Sequence, residues 1–221
     1  MLYARQWPQV QRYAHSWFFE GIDRLNINTD RIPDFDKLNA RLKELVGWEL
    51  VSTPIQYSGG QDWFQALARK EFLITEYIRE RDTLDYTPLP DIWHDAFGHL
   101  PFMAIPRYAD YIHRFALTAV QFPVEKRKAL GSLWWYSIEF GFLKENDETK
   151  AFGAGLMSGY TELKRAYDGE TPITPYSLDE IARIAPSPHE FHQKMFVFDS
   201  FGQLEQAVQE WLVLAQSLEE A

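Results

Sequence analysis

The chain has 221 residues, 46% hydrophobic and 16% aromatic, with Trp 8, Tyr 11 and Phe 16. That is enough for one well-packed domain, and aromatics left over from the core suit a pocket for a planar ligand. A net charge of −10 repels phosphate backbones and argues against nucleic acid as a partner, while the lack of cysteine removes disulfides, thiolate metal sites and a cysteine nucleophile.

Val10, Ala14, Trp17, Phe18, Ile22 and Leu25 keep helical spacing, with Pro8 placed for a first turn. Asp34 to Val46 repeats the pattern and Gly47 reads as its stop. Trp48 to Ser52 suits a short strand, Asp62 to Arg79 a long helix, and the two prolines of Asp82 to Pro90 an extended segment. Pro106 opens a helix ending near Phe122, and Pro123 to Lys144 holds one or two more. Ser177 with Glu180 and Ser200 with Gln203 match capping boxes. Met195 to Phe198 suits a strand, and the last helix runs from about Phe201 to Leu218. The fold class expected is mainly α, a single-domain helical basket with a few short strands, spanning 1–221. The N-terminus lacks a signal-peptide core and no apolar run approaches ~20 residues, so neither export nor a membrane is expected and the cytoplasm is the default compartment.

The densest chemical signal runs from Pro90 to Pro101. His94 and His99 lie five apart, a separation that diverges by about 140° on a continuous α-helix. A left-handed Gly98 ending the helix, with Pro101 preventing its resumption, would let the two imidazoles converge. Alone the pair is a modest signal, and it is not His-Glu-x-x-His, whose histidines lie four apart on one helical face. Glu139 adds to it. It is one carboxylate in Leu133-Trp134-Trp135-Tyr136-Ser137-Ile138-Glu139-Phe140-Gly141-Phe142-Leu143, where an unpaired charge costs several kcal/mol and a cation removes the cost. Two histidines and a carboxylate form the facial triad of non-heme iron(II) oxygenases; zinc could use the same ligands.

These segments resemble the catalytic domain of the pterin-dependent aromatic amino acid hydroxylases. Tyr86-Thr87-Pro88, Pro90-Asp91-Ile92, His94, Gly98-His99 and Pro101 are similar to the family's first metal segment; Trp135, Glu139-Phe140-Gly141 and Lys150 to Leu156 are similar to its second. Weaker similarity reaches from about Ile32 to the final helix. The resemblance implies a basket of helices with iron in a central cleft, held by His94, His99 and Glu139. It implies a catalytic domain without the regulatory and tetramerisation segments of longer members, acting as a monomer or small homo-oligomer. It implies hydroxylation of an aromatic amino acid ring by O2 with Fe(II) and a tetrahydropterin, tetrahydrobiopterin or a relative, with L-phenylalanine to L-tyrosine the first expectation.

The amino acid pocket carries over residue by residue. Arg79 matches the arginine that clamps the carboxylate, and Thr87 and Ser158 match its hydroxyl-bearing helpers. Pro90, Trp135, Phe140 and Gly155 match the walls around the ring. Gly153 and Gly155 read as a close backbone approach to substrate rather than as a dinucleotide loop. The cofactor side departs from the family. Asp95 stands where Glu is usual, Trp63 where a Phe stacks on the pterin, and Trp134 where a Tyr is usual; the loop Tyr57-Ser58-Gly59-Gly60-Gln61 also differs. Three alternatives stay open: an iron oxygenase of this fold acting on tryptophan or a non-standard aromatic, one working without pterin, and a zinc hydrolase or non-catalytic metal-binding protein.

Overall fold

The computed structural model describes residues 1–27, 32–55 and 60–217. Helices α1 (Leu2–Tyr13) and α2 (Ser16–Leu25) divide what the periodicity reads as one run. The break is made by tertiary pairing. Ala14 is extended and bridges Ala151 in parallel, and the His15 N–H donates to the Ala151 carbonyl at 3.0 Å. Pro8 lies inside α1, not in its first turn, on an exposed face. Helix α3 (Phe35–Val46) is bounded as its sequence suggests: the Asp34 carboxylate accepts from the Lys37 N–H at 3.3 Å, and Gly47 is left-handed at φ 73°.

The expected long helix from Asp62 to Arg79 is instead a helix and a strand. Helix α4 (Gly60–Ala68) ends at a left-handed Lys70 (φ 60°), and β2 (Glu71–Thr75) follows. Strand β2 pairs in parallel with β1 (Glu49–Thr53), Leu50 opposite Phe72. Phe72 and Ile74 are buried, so the strand's alternation is real but too short to stand out against the preceding helical pattern. The prolines of 82–90 give an irregular segment with a single turn of 3-10 helix at Arg81–Thr83.

The next stretch carries a π-helical turn (His94–His99), then α5 (Leu100–Met103) and α6 (Pro106–Ala119). A tight turn at Val124–Arg127 leads into α7 (Lys128–Trp134), and a second π-helical turn (Trp135–Glu139) follows directly. Strands β3 (Phe142–Glu145) and β4 (Glu148–Ala151) form a hairpin through Asn146 and Asp147, both at positive φ, as a two-residue primed turn requires. Then come α8 (Ala154–Ser158), α9 (Tyr160–Tyr167), β5 (Ile173–Pro175), α10 (Leu178–Ile181), β6 (Met195–Phe198) and α11 (Phe201–Ser217). Ser177 and Ser200 accept from Glu180 and Gln203 as the capping pattern predicts, and β6 has the bounds expected of it. The predicted last residue of α11, Leu218, lies outside the described residues, as do Tyr57, Ser58 and Gly59.

The larger sheet has the order β4-β3-β6-β5, antiparallel only at the hairpin. Helices dominate, as expected, and the core is rich in aromatic rings set among aliphatic side chains. Phe18, Trp48, Phe102, Phe152, Phe196 and Trp211 are fully buried, and α4 packs on α6 through stacked Phe64 and Phe115 rings 5.8 Å apart. Among the described residues no helix is long and apolar enough to cross a membrane.

Candidate active site

The two π-helical turns explain how ligands five apart converge. In a π turn each N–H reaches back five residues, so side chains at i and i+5 stack on one face instead of diverging. The Leu100 N–H bonds the Asp95 carbonyl, and the Phe140 N–H bonds the Trp135 carbonyl at 2.9 Å. His94 and His99 therefore meet with their Nε2 atoms 3.0 Å apart. Across the second turn, Trp134 and Glu139 meet the same way, the indole N–H donating to Glu139 Oε1 at 2.8 Å.

This corrects the role given to Gly98 and Pro101. Gly98 is not left-handed and ends no helix; it lies within the π turn, and a Cβ there would stand 2.6 Å from the Ala154 carbonyl oxygen of α8. Pro101 does not stop the helix either, because it occupies the first turn of α5, where its missing N–H costs nothing. Gly153 is explained similarly. A Cβ there would meet the Glu139 carbonyl oxygen at 2.2 Å, so the close approach is between protein backbones. Gly155 presses on the Phe140 ring and the Glu139 carbonyl while still lining a cavity.

His94, His99 and Glu139 form the group among the described residues that could hold a metal, each offering one ligand atom within 4.8 Å of the others. Glu139 Oε2 is 3.4 Å from His94 Nε2 and Oε1 3.4 Å from His99 Nε2. Two nitrogens each about 2.1 Å from a shared ion and at right angles stand about 3.0 Å apart, so the spacing fits one cation. The outer contacts agree. Ser158 Oγ donates its single proton to the Ala154 carbonyl (2.9 Å) and so must accept from His94 Nδ1–H (2.9 Å), which leaves the Nε2 lone pair directed at the cation position. Burial pushes the Glu139 carboxyl up, but the facing His99 and His94 outweigh it and hold it well below the usual carboxylate range. Burial lowers the His94 imidazole and the Glu139 hydrogen bond and charge raise it, to a value above the ordinary one. A buried carboxylate facing two imidazole nitrogens is a donor set that a divalent cation satisfies once it takes the place of any proton shared between them.

Two cavities meet at this triad and share Pro90, His94, Trp135 and Glu139. The first, about 110 Å³, is lined by Arg79, Thr87, Pro90, Trp135, Phe140, Gly155 and Ser158, which are all the residues expected around an amino acid substrate. The second, about 220 Å³, is lined by Trp63, Asp95 and Trp134, all three expected on the cofactor side.

In the first cavity Arg79 is fixed before any ligand arrives. Its Nε and Nη2 donate to the two oxygens of Asp91 at 2.9 and 2.8 Å, and its Nη1 donates to the Ser158 carbonyl at 3.1 Å. Asp91 is fully buried, and its Oδ1 also accepts from the His94 N–H at 3.0 Å. Burial raises its carboxyl, but hydrogen bonds and charge from Arg79 lower it further, leaving it below its ordinary value. The Ser158 hydroxyl serves His94, and Thr87 Oγ1 donates to the Leu89 carbonyl at 3.2 Å. In the second cavity the Trp63 ring lies 6.4 Å from His99 and edge-on to Trp134 at 6.2 Å. Asp95 Oδ2 accepts from the Thr75 N–H and hydroxyl, both at 2.8 Å; burial raises its carboxyl against the opposing His94 charge and Thr75 bonds, leaving it above its ordinary value.

Sequence reasoning gives no role to three residues that the site uses: Asp91, Glu162 and His192. Asp91 carried a usable signal, an acceptor three residues before His94 where a helical turn needs an N-cap. Glu162 and His192 carried none; one is a polar helix residue and the other a loop histidine, brought together only by the fold.

Over residues 8–219 the chain matches the family model described as biopterin-dependent aromatic amino acid hydroxylase. The phenylalanine-4-hydroxylase of Mesorhizobium japonicum is 34% identical over 208 residues, covering 93% of this chain and 75% of that one. That of Chromobacterium violaceum is 35% identical over 210 residues, covering 92% and 69%. The cobalt-bound crystal structure of phenylalanine hydroxylase from C. violaceum has a TM-score of 0.89 at 33% identity, covering 100% of this chain and 80% of its own. The Legionella pneumophila enzyme has a TM-score of 0.89 at 26% identity, covering 98% and 95%. Another C. violaceum structure, which holds iron(III) and 7,8-dihydrobiopterin, has a TM-score of 0.88 at 34% identity, covering 97% and 80%. The chain belongs to the biopterin-dependent aromatic amino acid hydroxylases.

Proposed function

We propose that this chain is an iron(II)- and tetrahydropterin-dependent monooxygenase that converts L-phenylalanine to L-tyrosine. The observation that carries the reading is the convergence of His94, His99 and Glu139 at the point where the Arg79 cavity and the Trp63 cavity meet. Iron and a tetrahydropterin, when bound, supply the activation of O2 that puts one oxygen atom on the ring and reduces the other.

The protein's own part is placement. His94, His99 and Glu139 would hold iron from one side, as a facial set does, leaving other positions open. Arg79, locked by Asp91, presents a guanidinium edge to the amino acid carboxylate without losing entropy when it binds. Trp135, Phe140 and Pro90 wall the ring beside the triad. Trp63 and Trp134 offer apolar surface to a flat cofactor, and Asp95 a carboxylate beside it. The rings around both cavities exclude bulk water from the reacting groups. An acidic chain acting as one catalytic domain, in the cytoplasm and as a monomer or small homo-oligomer, without a nucleic-acid partner, completes the proposal.

The test is a substrate screen of the iron-loaded protein with a tetrahydropterin and L-phenylalanine, L-tryptophan or L-tyrosine, with products read by mass spectrometry. Tyrosine from phenylalanine is expected. Hydroxylation of tryptophan with phenylalanine untouched would overturn the substrate assignment.

A further inference from the structure

His192 belongs to the segment between α10 and β6, distant in sequence from the metal ligands and from Trp135, yet it is 6% exposed and every polar atom it carries is bound. Its N–H donates to Glu162 Oε1 at 3.3 Å, and its carbonyl accepts from Thr171 Oγ1 at 3.1 Å. Its Nδ1 lies 2.7 Å from the same Glu162 oxygen, and the Trp135 indole N–H donates to its Nε2 at 2.7 Å. An indole N–H can only donate, so Nε2 must accept; the ring proton then sits on Nδ1 and is donated to Glu162. The tautomer is set by its partners.

The imidazole also touches the cavity wall by its face. It lies 4.2 Å from the Phe140 ring and 5.8 Å from the Trp135 ring, and Tyr136 meets it edge-on at 5.6 Å. Glu162 is 1% exposed, and its Oε1 takes both the His192 backbone N–H and the His192 imidazole, while its Oε2 has no partner among the described residues. A buried carboxylate and imidazole are an expensive way to fill space that apolar side chains would fill better. Their arrangement does one thing an apolar pair cannot: it holds an indole by its N–H.

We propose that His192 is a positioning residue for hydroxylation: anchored by Glu162 and Thr171, its imidazole fixes the Trp135 indole and the adjacent Phe140 ring, and so sets where the substrate ring lies. This rests on assigning the Arg79 cavity to the amino acid. The role requires one acceptor facing Trp135 and one donor facing Glu162, which a glutamine amide also supplies.

The test combines His192→Leu, His192→Gln and Trp135→Phe. The Trp135 indole N–H resonance is identified in the zinc-loaded full chain by its loss in Trp135→Phe. His192→Leu should move that resonance and raise the phenylalanine KM about tenfold while kcat changes less than about threefold, and His192→Gln should restore both. Iron content should be the same in the histidine variants. Should His192→Leu fail to fold, His192→Asn, polar but too short to reach Trp135, makes the same contrast with glutamine. An unmoved resonance and KM in the disrupting variant, or a glutamine variant as impaired as the leucine one, would overturn the proposal while wild-type activity stands. A wild type that hydroxylates no aromatic amino acid overturns the parent reading as well.

Discussion

The two cavities that meet at the triad are built on different principles. The Arg79 cavity is held by buried charge: a guanidinium forked onto a buried Asp91, the Ser158 carbonyl tied to Arg79, and a carboxylate–imidazole pair gripping Trp135. The Trp63 cavity is held mostly by rings meeting edge-on, Trp63 with Phe72 and Trp134, and Trp134 with Phe64 and Phe115. Its one carboxylate besides Glu139, Asp95, leans on Thr75. A polar network tolerates no replacement that leaves a buried charge unpaired, whereas one ring can take another's place at modest cost. The departures from the family pattern at Trp63, Asp95 and Trp134 fall on the Trp63 side.

Substitutions on either side of the triad test this difference. The largest effect belongs to the centre both cavities share. Glu139→Ala removes the carboxylate from the donor set, and metal analysis and product assay should show iron binding and hydroxylation both lost while far-UV circular dichroism stays as in the wild type. Retained turnover would remove the triad. Next is Arg79→Ala. It strands Asp91 as an unpaired buried carboxylate, a loss of ~3–5 kcal/mol in denaturant unfolding, and should raise the phenylalanine KM about a hundredfold with little change for the pterin. Equal rises for both ligands would mean the cavities are not separate. Trp63→Ala should do the converse, raising the pterin KM about tenfold and leaving phenylalanine alone.

Trp134→Phe keeps a ring but removes the N–H on Glu139 Oε1. Iron affinity, measured by competition with a chelator, should fall about tenfold, and an unaltered affinity would count against the contact. The smallest effect lies away from both cavities. Burial raises the Glu205 carboxyl, but hydrogen bonds and charges from Arg107 and Arg114 lower it further, so it ends below its ordinary value. A depressed carboxyl gives stability that is full above its unfolded value and is lost as pH falls through the folded one. Glu205→Gln should therefore flatten the acid limb of the Tm–pH curve, by under about 1 kcal/mol, and move neither KM.

The sequence made the ligand types legible but not the geometry that joins them. His94, His99 and Glu139 stand out by chemistry, yet α-helical arithmetic separates the histidines, and no residue pattern announces a π turn. Gly98 looks like a stop in the sequence because glycine usually marks one; its actual reason, the backbone of α8 pressing against it, exists only in the folded chain. Strand β2 is hard to tell from a helix in the sequence because Phe72, Leu73 and Ile74 extend the apolar run of α4, and pairing with β1 decides the matter. The β3–β4 hairpin did have a local signal, Asn146-Asp147, which its short flanking strands obscured. The helix limits that were legible, Asp34, Gly47, Ser177 and Ser200, all rest on contacts within a few residues.

In the proposed enzyme one iron centre serves two adjoining ligand cavities. The most direct test is tyrosine formation from phenylalanine by the protein reconstituted with Fe(II) or Zn(II), each with and without a tetrahydropterin. Tyrosine is expected only where iron and pterin are both present. Turnover unaffected by leaving out pterin, or full activity with zinc and none with iron, would rule out an iron- and pterin-dependent hydroxylase.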